Sequence, residues 1–167
     1  MTTSDDIRQK VIDAAVGLLG ERGLRGLSGP KVAKRAGVRQ SHVTYYFPRR
    51  SDLIGAVARS YSDTVGAEVL RLMQGGASND LGDALRALTT AVIGDRKRTR
   101  ILIGLLMASE EDKKLRRQLQ EGILGLRQVM GHALGAKAGD RAPAMLQATL
   151  WGLALQHLLL DGQSECR

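Results

Sequence analysis

An all-α fold is predicted, with a small three-helix module over residues 1–50 and a helical body over residues 51–167. Three observations point there. Leu, Ala, Arg and Gly dominate the chain, and its Leu and Ala recur at helical spacing. Aromatic residues make up 3% of it, whereas strand-rich domains carry more Val, Ile, Thr, Tyr and Phe. Gly, Pro and Asn punctuate the apolar stripes at intervals that suit helix ends. With 167 residues and 43% hydrophobic content, the chain can bury one compact core, or support a small module on a larger body. Some of its twenty glycines must lie inside helices, where each costs about 1 kcal/mol relative to Ala. Close helix contact or a GC-rich genome would account for them.

A first helix is expected from Ser4, whose hydroxyl suits an N-cap; Asp5 and Asp6 suit the positive end of the helix dipole. Ile7, Val11, Ala14, Ala15, Leu18 and Leu19 form its apolar stripe, and Gly23 is a natural stop. Ser28-Gly29-Pro30 opens a short second helix with Val32, Ala33 and Ala36 inward and Lys31, Lys34 and Arg35 outward. A third short helix spans about residues 40–46, ended by Pro48. A long fourth helix covers 51–74, capped by Ser51 or its predecessors, with Leu53, Ile54, Val57, Tyr61, Val65, Val69 and Leu72 along one face. A fifth is expected at about 80–94, carrying Leu81, Leu85, Leu88, Val92 and Ile93. A sixth, about 97–109, is nearly all apolar after its start and should be largely buried. The seventh and eighth run about 111–136 and 141–161.

The formal charge is +8. Residues 1–50 hold ten Lys/Arg against four Asp/Glu, a balance of +6, and the rest hold fifteen against thirteen, a balance of +2. Charge gathered on one small module is the electrostatic footprint of a nucleic-acid binder. Cys166 stands alone and forms no internal disulfide, which fits a reducing compartment. The start of the chain lacks a secretion signal, and no apolar run approaches the ~20 residues of a membrane span; a cytoplasmic protein is expected. His42, His132 and His157 are scattered, no Cys/His/Asp cluster has metal-ligand spacing, and no glycine-rich phosphate loop is present. Neither enzymatic chemistry nor a cofactor is expected.

The informative stretch runs from Ala33 to Phe47. Two helices crossing steeply through a tight turn need a small residue at the crossing, which Ala33 supplies. They also need a positive φ in the turn, which Gly37 adopts without steric cost. Val38 and Val43 should point into the shared core, leaving Gln40, Ser41, His42, Thr44 and Tyr45 on the free face of the second helix. This is the layout of a helix-turn-helix, whose second helix reads the major groove of DNA.

Residues of about 7–55 resemble the N-terminal domain of the TetR (tetracycline-repressor-like) family of bacterial regulators. The resemblance rests on the stripe of the first helix, Gly23, Ser28, Val32-Ala33, Ala36-Gly37-Val38, Val43, Tyr46-Phe47, Arg50 and Leu53. It departs where the family often has Ser or Thr and this chain has Arg39, where a Tyr is common and Thr44 stands, and where a Lys is common and Arg50 stands. The resemblance implies that Gln40, Ser41, His42 and Tyr45 face the groove with Thr44 at its side. Gln40 would pair with adenine edges, and Arg39, where it reaches in, with guanine. Ser28, Lys31, Tyr46, Arg49 and Arg50 would hold phosphates. It further implies a repressor, dimeric through its last two helices and bound to a pseudo-palindromic operator.

For the dimer surface the sequence offers Leu119, Ile123, Leu126, Met130, Leu150, Leu153, His157 and Leu158, with glycines permitting close approach. For a small, largely apolar effector it offers Tyr61, Leu88, Leu106, Met107 and Trp151 as pocket lining. A DNA-bound adaptor governed by a protein partner is the alternative: an apolar cavity would favour the sensor, and an exposed apolar patch the adaptor.

Overall fold

The computed structural model describes residues 4–75, 89, 95–137 and 140–160, and within them the chain forms seven helices and no strand. They are α1 (Ser4–Gly26), α2 (Gly29–Ala36), α3 (Gln40–Tyr46), α4 (Arg50–Gly75), α5 (Arg96–Ala108), α6 (Lys113–Ala133) and α7 (Ala142–Leu160). The helix expected at about 80–94 lies outside the described residues, apart from Thr89, as do Cys166 and the side chains of Ser4, Val69, Leu72 and Met73. No described helix is long and apolar enough to cross a membrane.

The chain groups into two compact units. The first comprises Met1–Ser62 with Arg100–Gln120, and the second Asp63–Thr99 with Glu121–Arg167.

The core of the first unit is built on α1. Val11, Ala15 and Leu19 are fully buried, with Val32 of α2, Val43 of α3, Leu53 and Val57 of α4, and Ile101 and Leu105 of α5 in the same cluster. Leu115 and Leu119 of α6 complete it. The ends of these helices are set locally. Gly23 takes φ 65°, so regular α1 geometry breaks there and a short turn follows, closed by Leu27 N–H on the Leu24 carbonyl at 3.2 Å. At α4 the cap comes from Asp52, whose carboxylate accepts the Arg49 N–H at 3.1 Å, one half of a capping box. Asp112 caps α6 by accepting from the N–H groups of Lys114 and Leu115 at 2.9 and 3.0 Å.

α5 is less buried than its composition predicts. Ile101 and Leu105 are inside, Leu102 and Ile103 are half-buried, and Leu106 and Met107 are 39% and 59% exposed. The unit covers one face of this helix, and an apolar opposite face stays outside. On the covered face Gly104 sits against α1: a Cβ there would lie 2.8 Å from Leu19 Cδ1. Because Leu19 is fully buried, it has little room to yield. Gly104→Ala is expected to lose more to overpacking, about 1–3 kcal/mol, than the roughly 1 kcal/mol gained from helix propensity. Urea unfolding should show a net loss of about 1 kcal/mol.

In the second unit Met130, Leu150, Ala154 and Pro143 are buried, and Gly131 lets Pro143 Cγ approach to 3.5 Å of where its Cβ would be. Gln147, 2% exposed, joins α7 to α6. It donates to the Ile123 carbonyl at 3.0 Å and accepts from Arg127 Nε at 3.2 Å. A buried amide so satisfied fixes the register of the two helices.

Candidate nucleic-acid interface

The geometry of the α2–α3 turn follows from three residues. Gly37 adopts φ 67°, ψ 30°, and its N–H caps α2 by pointing at the Ala33 and Lys34 carbonyls. Val38 N–H then returns to the Ala33 carbonyl at 3.0 Å. Val43, 4% exposed, is the anchor that turns one face of α3 into the core, and Phe47 N–H closes the helix on the Val43 carbonyl at 2.9 Å before Pro48. The remaining face is left outward. Arg39, Gln40, Ser41, Thr44 and Tyr45 are exposed, Tyr45 by 77%. Tyr45 meets Tyr46 edge-to-face at 5.1 Å, which restricts how far its ring can swing.

His42 departs from a simple outward position. It is half-buried, and its Nδ1 is enclosed with no hydrogen-bond partner among the described residues. Arg39 stands at the N-cap of α3 without a side-chain cap bond, and Thr44 Oγ1 turns back to the Gln40 carbonyl at 3.3 Å.

The residues expected on phosphates lie along helix starts. Lys31 and Arg49 are exposed, Tyr46 is half-buried, and Ser28, half-buried at the N-cap of α2, makes no side-chain cap bond. Arg50 is already engaged: Nη2 donates to the Leu24 carbonyl at 2.9 Å, tying α4 to the turn after Gly23. A guanidinium has five donors, so this contact does not exhaust it. Arg35, expected among a solvated face, instead grips Glu21 of α1 through two bonds of 2.6 and 2.8 Å. The Glu21 hydrogen bond pushes the guanidinium still further into its charged range.

Part of the expected dimer surface needs correction. Leu119 is in the core of the first unit, and Met130 and Leu150 are inside the second, so none of the three is available for a dimer surface. The stripe chosen from sequence was partly the inward one. Ile123, Leu126 and Leu158 are half-buried, while Leu153 and His157 are exposed on α7. That helix carries no Asp, Glu, Lys or Arg, yet Met145, Leu153, Leu155, Leu159 and Leu160 are all between 44% and 77% exposed. At ~100° per residue these five fall within one broad face. Sequence reading missed Met145, Leu159 and Leu160, although the absence of charge around α7 was the available signal. Of the effector lining, Tyr61 packs at the edge of the first unit's core, and Trp151 is half-buried on α7 of the second. Leu106 and Met107 point outward on α5, Met107 over an open groove of about 330 Å³ floored by Ile103 and Gly104. Leu88 lies outside the described residues. In the basic run at the start of α5, Arg96 holds the Leu158 carbonyl at 3.1 Å and Arg98 pairs with Glu68 at 2.5 Å.

A buried anchor, a left-handed glycine and an outward polar face define a helix-turn-helix protein. The family model of bacterial regulatory proteins of the tetR family matches residues 11–57. Among solved structures, a member of the TetR family from Streptomyces coelicolor A3 is 30% identical, with a TM-score of 0.74 over 93% of this chain and 89% of that one. The chain belongs to the TetR family of bacterial transcriptional regulators. It is also similar to the multidrug binding protein EbrR complexed with ethidium, at 29% identity and TM-score 0.72 over 93% of this chain and 89% of that one. A transcriptional regulator from Rhodococcus sp. Rha1, 24% identical with a TM-score of 0.78 over 92% and 84% of the two chains, shares the fold. The comparison with curated proteins gave no match.

Proposed function

We propose that the protein is a homodimeric repressor that binds a pseudo-palindromic operator through α3 and is released by a small, largely apolar molecule. The observation that carries this reading is the outward face of α3: a helix locked by Val43 and Gly37 presents Arg39, Gln40, Ser41 and Tyr45 to solvent together. His42, half-buried at the edge of this face, and Thr44 flank the readers. Ser28, Lys31, Tyr46, Arg49 and Arg50 are assigned to phosphates, which set register without reading sequence. The exposed apolar face of α7 supports a second copy as its cover, since a helix apolar all round is normally buried. Under this reading, residues 1–50 act as the DNA-binding domain and residues 51–167 as the effector and dimer domain. The complexes of EbrR with ethidium and malachite green favour an organic effector.

The outward Met107 and Leu106 favour a second reading, an adaptor that answers to a protein partner. A panel of apolar dyes and drugs that raises the melting temperature and releases DNA would select the sensor over the adaptor.

The decisive test is fluorescence anisotropy on operator DNA obtained by random-sequence selection, at two salt concentrations. Gln40→Ala should cost about 1–3 kcal/mol and relax preference at one position. Arg49→Ala should weaken binding to all sequences evenly and lower the salt slope by about 1. Failure to enrich any sequence would overturn operator binding itself.

A further inference from the structure

The first unit holds a second, polar cleft, set apart from the outward face of α3 and bordered on one side by Tyr46. It has a volume of about 180 Å³ and opens beside the α3–α4 junction, bordered by the starts of α1 and α6. Such a space is too large for a lone ion, since one ordered water needs ~10–15 Å³. We propose that this cleft binds a small hydroxylated anion, of the hydroxycarboxylate or phosphorylated-polyol class.

The argument is one of unmet partners. Arg8, Arg59 and Lys114 border the cleft, and none of the three has a carboxylate partner among the described residues. Arg8 is held in place without one, its guanidinium 5.6 Å from the centre of the Phe47 ring. The two carboxylates present, Asp52 and Asp112, each commit one oxygen to helix N–H groups. Their other oxygens remain as acceptors. Gln118 is likewise half-committed, its Nε2 donating to the Gly55 carbonyl at 2.9 Å, which leaves Oε1 to accept.

The cleft therefore offers cations and hydrogen-bond acceptors side by side. A bare anion would satisfy the cations and face two carboxylates uncompensated. A cation would meet three like charges. A molecule carrying both an anionic group and hydroxyls answers every group: charge-assisted bonds to Arg8, Arg59 and Lys114, and hydroxyl donors to Asp52, Asp112 and Gln118.

Malate and succinate differ by one hydroxyl and make the test direct. Each is titrated into the full-length protein at constant ionic strength and followed by calorimetry. Malate should bind saturably at one site per chain, and succinate at least several-fold more weakly. In an Arg59→Gln/Lys114→Gln variant malate binding should fall at least tenfold. Both side chains are exposed, so the variant should keep its far-UV circular dichroism and melting temperature. Absence of saturable malate binding, equal binding of malate and succinate, or full binding by the variant would each overturn the proposal.

Discussion

Leu153→Glu is expected to leave each protomer folded and to lower operator affinity by about two orders of magnitude. Leu153 is 44% exposed in the single chain, so a charge there meets water and disturbs no interior contact. In the proposed dimer the same position lies on the face covered by a second copy, and a carboxylate would be taken out of water without a partner. Removing an unpaired charge from water costs several kcal/mol, enough to separate the copies at micromolar concentration. Each separated head then engages one half-site alone. Linked binding sites gain about 10²–10⁴ over single ones, and that factor is what the variant forfeits. Sedimentation velocity should report a monomer with unchanged circular dichroism, and anisotropy the lost affinity. A variant that stays dimeric would place the interface elsewhere.

The second large effect lies in the core. Leu19→Ala should destabilise the protein by about 2–5 kcal/mol, the usual range for a buried leucine, against a total of about 5–15 kcal/mol for a domain. Leu19 is fully buried at the contact between α1 and α5, so little can collapse into the space it leaves. The contact with Gly104 supplies an internal control. In the native chain a methyl at Gly104 collides with Leu19. In the Leu19→Ala background the same methyl enters the vacated space. Gly104→Ala should therefore change sign, costing about 1 kcal/mol in the first case and stabilising in the second. Additive behaviour of the two changes in denaturant unfolding would contradict the packing described here.

The reading module was legible because its constraints are local. Gly37 five residues before His42, Val43 between two polar stretches, and Pro48 after Phe47 each fix one turn of backbone, and the structure places all of them as their chemistry requires. The side-chain caps at Asp52 and Asp112 are equally local, but nothing in the spacing singles out these carboxylates from neighbours such as Ser51 and Glu111. What could not be read lies across long separations. Gln118 reaches the Gly55 carbonyl across 63 residues, and Arg50 reaches Leu24 across 26; no periodicity announces either. Burial on α5, α6 and α7 failed for a related reason. These helices carry leucines on more than one face, so spacing identifies a stripe without saying which one turns inward.

The make-up of the first unit has a consequence for how the protein comes into being. Its buried cluster draws on Ile101, Leu105, Leu115 and Leu119 as well as on the helices before residue 62. A ribosome delivers the helix-turn-helix early, yet the leucines that seal its core arrive some forty to sixty residues later, after the chain between them has been made. At ~5–20 residues per second, that interval lasts several seconds, with Leu19 and Val57 still open to water. The three-helix module is therefore expected to consolidate fully only once α5 and the start of α6 have emerged. A fragment ending at residue 62 would be caught permanently in that interval.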